Sequence, residues 1–166
     1  MTADMTFTSL GTVQISYLAD RPGIGTDLIP ALLEHWKPWF PEDTWVARQR
    51  RLEQHMNRAV LPVGWVAHIG DEAVGTAALR AADLPGHEHL TPWLGGVFVR
   101  RPFRRRGIAS ALCTVVEDKA RGLGFERLYL FTPDQQALYA RLGWSSVERV
   151  EWRGLGCELM VKALRP

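Results

Sequence analysis

Apolar residues recur along this chain with two different periods, and the switches between them outline its elements. Residues 12–18 alternate apolar and polar, the two-residue period of a half-buried strand. Residues 27–36 carry a helical pattern that must stop before Pro38, because a proline pushes the residue before it out of helical geometry. A second helix is expected over 43–58, with Asp43 or Thr44 as its cap. Two strand-like runs, 65–69 and 73–79, meet at Gly70-Asp71, residues that accept the positive φ of a tight hairpin. A loop rich in Pro, Gly and His, 83–92, leads into the apolar run 93–99.

The clearest helix spans 108–123. Ile108, Leu112, Val115, Val116, Ala120 and Leu123 fall at three- and four-residue steps on one face, and Gly124 is placed to end it. A strand over 127–131 follows. Thr132-Pro133-Asp134-Gln135 has the form of a capping box with proline at the first helical position, which predicts a short helix running to Leu142 and stopping at Gly143. Strands over 147–152 and 157–161 then flank the turn Arg153-Gly154. Strands and helices interleave without strict alternation. This predicts one α/β (α+β) domain over residues 1–166, with a mixed central β-sheet flanked by helices.

Composition narrows the picture. A chain of 166 residues, 46% hydrophobic and 23% charged, supports one good core. A net charge of +2 is far below that of a genome-coating protein. No basic stretch leads into an apolar core at the amino terminus, and no apolar run approaches the roughly 18 residues that span a bilayer. Cys113 and Cys157 lack metal-ligand spacing and read as two reduced thiols, Cys113 as a small buried hydrophobe. The expectation is a cytoplasmic protein without a metal, nucleic-acid or membrane partner.

Candidate chemistry concentrates between residues 97 and 109. A strand runs into a turn holding Arg100, Arg101, Arg104, Arg105 and Arg106, and a helix begins after Gly107. Helix starts present unpaired N–H groups and partial positive charge, and so bind phosphate where the backbone can come close. Gly107 and Ala109 keep that approach clear, and the arginines add fixed charge. A pyrophosphate is the natural ligand, with a solvated loop or a nucleic-acid patch as rivals.

Arg104-x-x-Gly107-x-Ala109 resembles the pyrophosphate loop of the GNAT superfamily of acyl-CoA-dependent N-acyltransferases. Tyr139 and Leu142-Gly143-Trp144 resemble the same family's Tyr-x-x-x-Gly-Phe/Trp motif, and the order of elements is similar as well. The resemblance implies acetyl-CoA as cosubstrate. Val97, Phe98 and Val99 would offer backbone groups to pantetheine, and Arg104, Arg105, Arg106, Gly107, Ile108 and Ala109 would cradle the pyrophosphate. Tyr139 would act as general acid toward the departing thiolate. Many members carry Asn seven residues before this tyrosine. Thr132 stands there instead, as a cofactor neighbour or as a helix cap. Arg100 and Arg101 read as surface residues or neighbours of the 3′-phosphate.

A mostly protonated amine also needs a base, and the loop before the central strand should border the acyl end. Asp83, His87, Glu88 and His89 lie in or beside it, and Glu88 and His89 are taken as the base candidates. Trp36, Trp39, Phe40 and Trp45 read as helix packing, with an aromatic wall for an aryl or cationic amine as the alternative. The implied function is acetyl transfer from acetyl-CoA to a small-molecule or peptide amine by direct attack in a ternary complex. A non-catalytic acyl-CoA-binding module and a nucleic-acid-binding protein are the alternatives. Oligomeric state stays open, homodimers being frequent among similar proteins.

Overall fold

The computed structural model describes residues 3–7 and 11–165. Eight strands form one sheet in the order β1-β2-β3-β4-β5-β6-β8-β7. They are β1 Ala3–Phe7, β2 Gly11–Tyr17, β3 Val63–Ile69, β4 Glu72–Arg80, β5 Trp93–Val99, β6 Arg127–Thr132, β7 Ser145–Trp152 and β8 Leu155–Ala163. Every neighbouring pair is antiparallel except β5 and β6, which run parallel. The sheet is therefore mixed, as the interleaved pattern predicts. The helices are α1 Pro22–Thr26, α2 Ile29–Trp36, α3 Trp45–Gln54, α4 Ile108–Gly122 and α5 Gln136–Arg141. None of the described helices is long and apolar enough to cross a membrane.

Helix α4 covers one face of the sheet. Ile108, Leu112, Val115, Val116 and Ala120 are buried there with Val13, Ile15, Trp65 and Leu79. Each such aliphatic side chain contributes roughly 1.5–3 kcal/mol by leaving water. Helices α1, α2 and α3 cover the opposite face through Ile24, Leu28, Ile29, Leu32 and Leu52, against Val66, Ala73 and Phe98. Phe98 thus faces one layer while its neighbours Val97 and Val99 face the other. Both hairpins form at the foreseen turns. Gly70 has φ +56°, and Arg153 and Gly154 have φ +51° and +77°, the left-handed pair that suits the twist of a two-residue turn.

Four boundaries differ from the sequence expectation. Strand β1 carries no signal strong enough to foresee. The helix expected from residue 27 is two elements: Asp27 closes α1, and α2 begins at Ile29 with Pro30 in its first turn, where no N–H is needed. Helix α3 starts at its Thr44 cap, whose hydroxyl accepts from Ala47 N at 3.1 Å. It ends at Gln54 rather than at 58, because Asn57 Nδ2 donates to Gln54 O at 2.9 Å and closes the turn. Helix α5 begins at Gln136 rather than at Pro133. Thr132 still pairs with Glu158 in the sheet, and its hydroxyl accepts from Gln135 N at 3.0 Å, so a turn precedes the helix.

Candidate functional site

Strands β5 and β6 share one pairing, Trp93 with Tyr129, and then diverge. Past that point a cleft of about 1020 Å³ opens between the edge of β5 and residues Leu130 to Thr132. A bulge shapes its β5 wall. Thr76 pairs with Phe98 and Ala78 with Gly95, so Gly96 and Val97 together face Ala77 alone, and Gly96 turns to φ +61°. Such a bulge leaves a backbone group out of the ladder and re-aims the strand.

The Arg turn forms the floor at one end. Arg105 (φ +64°) and Gly107 (φ +82°) are both left-handed, the way a turn brings neighbouring N–H groups into an anion-binding concavity. Gly107 is the residue before α4, which starts at Ile108. Arg104 braces the turn: its Nε donates to Val99 O at 2.7 Å, and its guanidinium lies 5.8 Å from the Phe98 ring. Of the expected cradle, Arg104, Arg105, Gly107, Ile108 and Ala109 line the cleft, joined by Ser110, which has no motif to announce it. Arg106 is half-buried and is not part of the lining. Arg100 packs back on β4, donating from its backbone to Val74 O at 2.8 Å.

Tyr139 is brought to the same cleft by α5. Lys162 fixes the end of that helix, donating to Leu142 O and to Glu117 of α4, each at 2.7 Å. The Tyr139 ring is buried, edge-on to Trp144 at 6.1 Å. Burial, then the neighbouring Cys113 and Asp134, hold its phenol well above the usual range, so it stays protonated as a donor. Cys113 itself is pushed up to about 12, chiefly by burial, and is a thiol rather than a nucleophile. Thr132 lines the cleft as well, with its hydroxyl engaged in the turn to Gln135.

The far half of the cleft is built by α2, α3, β4 and the β7–β8 hairpin. Trp36, Trp39, Phe40 and Trp152 wall it, so these rings are more than helix packing, whereas Trp45 is 47% exposed on the surface. Arg153 ties the hairpin across to this wall. It donates to Trp39 O at 2.5 Å, pairs with Glu42 at 2.9 Å, and stacks 4.0 Å from the Phe40 ring.

Glu88 and His89 are both exposed and do not line the cleft. Glu88 accepts from Gly86 N at 3.0 Å, which lowers its pKa, and His89 stacks on His87 at 5.9 Å. Asp83, from the same loop, does reach the cleft and pairs with Arg80 at 2.9 Å. Sequence reading missed two imidazoles on the lining, and the first is His35 on α2, set 5.0 Å from the Phe98 ring. Its pKa is lowered from 6.5, first by burial and then by Arg104, so it is neutral at physiological pH.

His55 also lines the cleft, with both ring nitrogens committed: Nδ1 donates to Arg51 O at 2.7 Å and Nε2 accepts from Arg80 Nε at 3.0 Å. Burial, then the Arg80 charge, lowers its pKa to about 4. The unfolded chain binds a proton here that the folded chain refuses, so this stability is whole above pH 6.5 and is lost as pH falls toward 4. Denaturant titrations should show roughly 3 kcal/mol lost over that window. His55→Gln should flatten the decline, and an equal decline in the variant would assign it elsewhere.

A family model described as "Acetyltransferase (GNAT) family" matches residues 23–144. N-alpha-acetyltransferase 80 of Mus musculus is 46% identical over 55 residues, which is 33% of this chain and 18% of that protein. The chain therefore spans under a fifth of that relative's length in this match. Among solved structures, aminoglycoside 6'-acetyltransferase type Ii superposes with a TM-score of 0.68 at 22% identity, covering 92% of this chain and 97% of the other. An aminoglycoside 6'-N-acetyltransferase complexed with coenzyme A gives the same TM-score at 19% identity, with 92% and 97% covered.

Proposed function

Because the chain belongs to the GNAT family of acetyltransferases, we propose that it transfers the acetyl group of acetyl-CoA to a primary amine by direct attack in a ternary complex. The observation that carries this reading is the union of two halves in one cleft: the Arg turn, α4 start and β5 edge on one side, the aromatic wall on the other. Val97, Phe98 and Val99 pair with the amides of pantetheine as an added strand would. Residues 104–109, with Ser110, hold the pyrophosphate. The backbone N–H released by the bulge at Gly96 and Val97 meets the thioester oxygen as it gains charge.

The proton inventory follows from the titratable groups present. An α-amine, with an ordinary pKa of about 7.7–8.0, arrives mostly protonated at neutral pH. His35, neutral and on the lining, takes that proton directly or through one water. The nitrogen lone pair then forms the C–N bond, the C–S bond breaks as Tyr139 gives its proton to the departing sulfur, and the second N–H proton returns to the phenolate directly or through water. The mouse relative is named for N-alpha acetylation, and an α-amine is the acceptor type we carry to this chain.

The direct test is to titrate acetyl-CoA and then follow free thiol with a panel of amines. Saturable binding with thiol release is expected, and binding without release from any amine would leave an acyl-CoA-binding module. His35→Gln should lower kcat roughly a hundredfold, the low end for a positioned base. The active imidazole is the unprotonated one and its pKa is lowered from 6.5, so wild-type kcat/KM should fall on acidification below pH 6.5. The variant should lack that acid limb, and an unchanged profile would remove His35 from the reaction.

A further inference from the structure

Resting on that reading, we infer that the acceptor carries a carboxylate, held by Arg48 and Arg51 at the α3 wall, so that an amino acid or acidic peptide amine is taken and a polycationic amine is refused. The Arg48 side chain is only 8% exposed. Its Nε is bound to Asp43 Oδ2 at 2.5 Å, yet its Nη2 is closed from solvent and donates to nothing. A buried guanidinium N–H without an acceptor is costly, so a ligand carboxylate in the adjoining pocket gains by drawing Nη2 onto one of its oxygens.

Arg51 adds a second unmatched charge. Among the described residues no carboxylate lies within 4.0 Å of its guanidinium, while Arg80 is matched by Asp83 at 2.9 Å and Arg153 by Glu42 at 2.9 Å. Arg48 and Arg51 each place their guanidinium carbon 5.9 Å from the centroid of the Phe40 ring, so the two cations gather around one aromatic group. A side pocket of about 40 Å³ opens between them, bordered also by Arg80, Leu32 and Leu52. One water needs roughly 10–15 Å³ on such a measure, so the two oxygens of a carboxylate have room.

The sign of the wall argues the same way. Two carboxylates line the whole cleft: Asp83, already engaged by Arg80, and Asp134, on the loop after β6. A polycation would meet the unmatched charge of Arg51 there, since Arg48, Arg80 and Arg153 are already paired with Asp43, Asp83 and Glu42. Trp36, Trp39, Phe40 and Trp152 favour an aromatic group carried beside the amine and the acid.

Three acceptors isolate the charge: L-phenylalanine, L-phenylalaninamide and L-aspartyl-L-phenylalaninamide. With acetyl-CoA and thiol detection, the free amino acid or the acidic dipeptide should exceed phenylalaninamide in kcat/KM by roughly ten- to a hundredfold, whichever is the true source of the carboxylate. The amide's amine is the less basic, so its bias works against the proposal. Arg51→Gln, at an exposed side chain that leaves the Asp43 pair intact, should narrow the preference to within about threefold. Arg48→Lys should narrow it also.

Phenylalaninamide turned over as well as both acids would overturn the carboxylate pocket and leave acetyl transfer standing. Where no acceptor releases thiol, binding of N-acetyl-L-phenylalanine and of its amide to the CoA-loaded protein decides. Tighter binding of the acid keeps the pocket while the transfer reading fails. Equal binding overturns both.

Discussion

Tyr139→Phe is expected to lower kcat by two to three orders of magnitude while the affinity for acetyl-CoA stays within about twofold, the range typical of a lost general acid. The change removes one hydroxyl from a buried ring whose edge contact with Trp144 survives in phenylalanine. The fold should hold, because the backbone ties of α5 run through Lys162 to Leu142 O and through Trp144 N to Tyr139 O. Burial raises the phenol's pKa and keeps it protonated, and the same dry walls would raise the pKa of a thiolate formed beside it. The two remain matched enough for a strong hydrogen bond or proton transfer at the moment the C–S bond breaks. Because the phenol does not ionise near neutrality, it imposes no alkaline limb on the rate there. Steady-state kinetics beside a CoA titration checks this, and unchanged turnover with an active acceptor would remove Tyr139 from the mechanism.

Gly107→Val should cost the opposite quantity. The residue sits at φ +82° immediately before α4, a conformation that an L side chain adopts at a penalty of roughly 1–2 kcal/mol, more when β-branched. Relaxing it would swing the amides at the start of α4 away from the pyrophosphate, and each charge-assisted hydrogen bond lost is worth roughly 1.5–3 kcal/mol. Together about 3–4 kcal/mol is at stake, which weakens CoA binding by two to three orders of magnitude. Calorimetric titration reads it, and a thermal melt of the same sample shows that the chain is folded. Affinity within threefold of wild type would place the phosphates elsewhere.

These two sites were legible in the sequence for a simple reason: each is local. The strand, Arg turn, Gly107 and α4 occupy one unbroken stretch, and a motif reads whatever a short segment builds by itself. Tyr139 is legible through its spacing from Gly143 and Trp144. The opposite wall draws His35 from α2, Arg48 and Arg51 from α3, Arg80 from β4 and Trp152 from β7, residues that meet only once the sheet has formed. A signal was present, since Arg48 and Arg51 on α3 and His55 at its C-terminal cap stand at three- and four-residue steps. Read alone, that spacing also describes an ordinary solvated helix face.

Element boundaries failed where two local rules competed. Asp27 has the chemistry of a helix start, yet it closes α1 because Pro30 three residues later fits the first turn of α2. Thr132 has the chemistry of a cap, yet strand pairing to Glu158 claims its backbone first, and its hydroxyl serves a turn. Position in the loop favours Glu88 and His89, but the parts of that loop reaching the cleft are Asp83, drawn in by Arg80, and Pro85.

The divergence of β5 from β6 after Trp93 and Tyr129 has a consequence for solubility. A strand with an unsatisfied side normally sits at the margin of a sheet, where another molecule's strand can add to it and begin aggregation. This protein keeps such a side in its interior, between Gly95 and Val99, with the α5 turn facing it and the aromatic wall above. A slender chain bearing single amides can thread the slit, and a neighbouring sheet cannot follow. The fold thus hides this unpaired edge from other copies of the molecule without a charged or proline guard along β5.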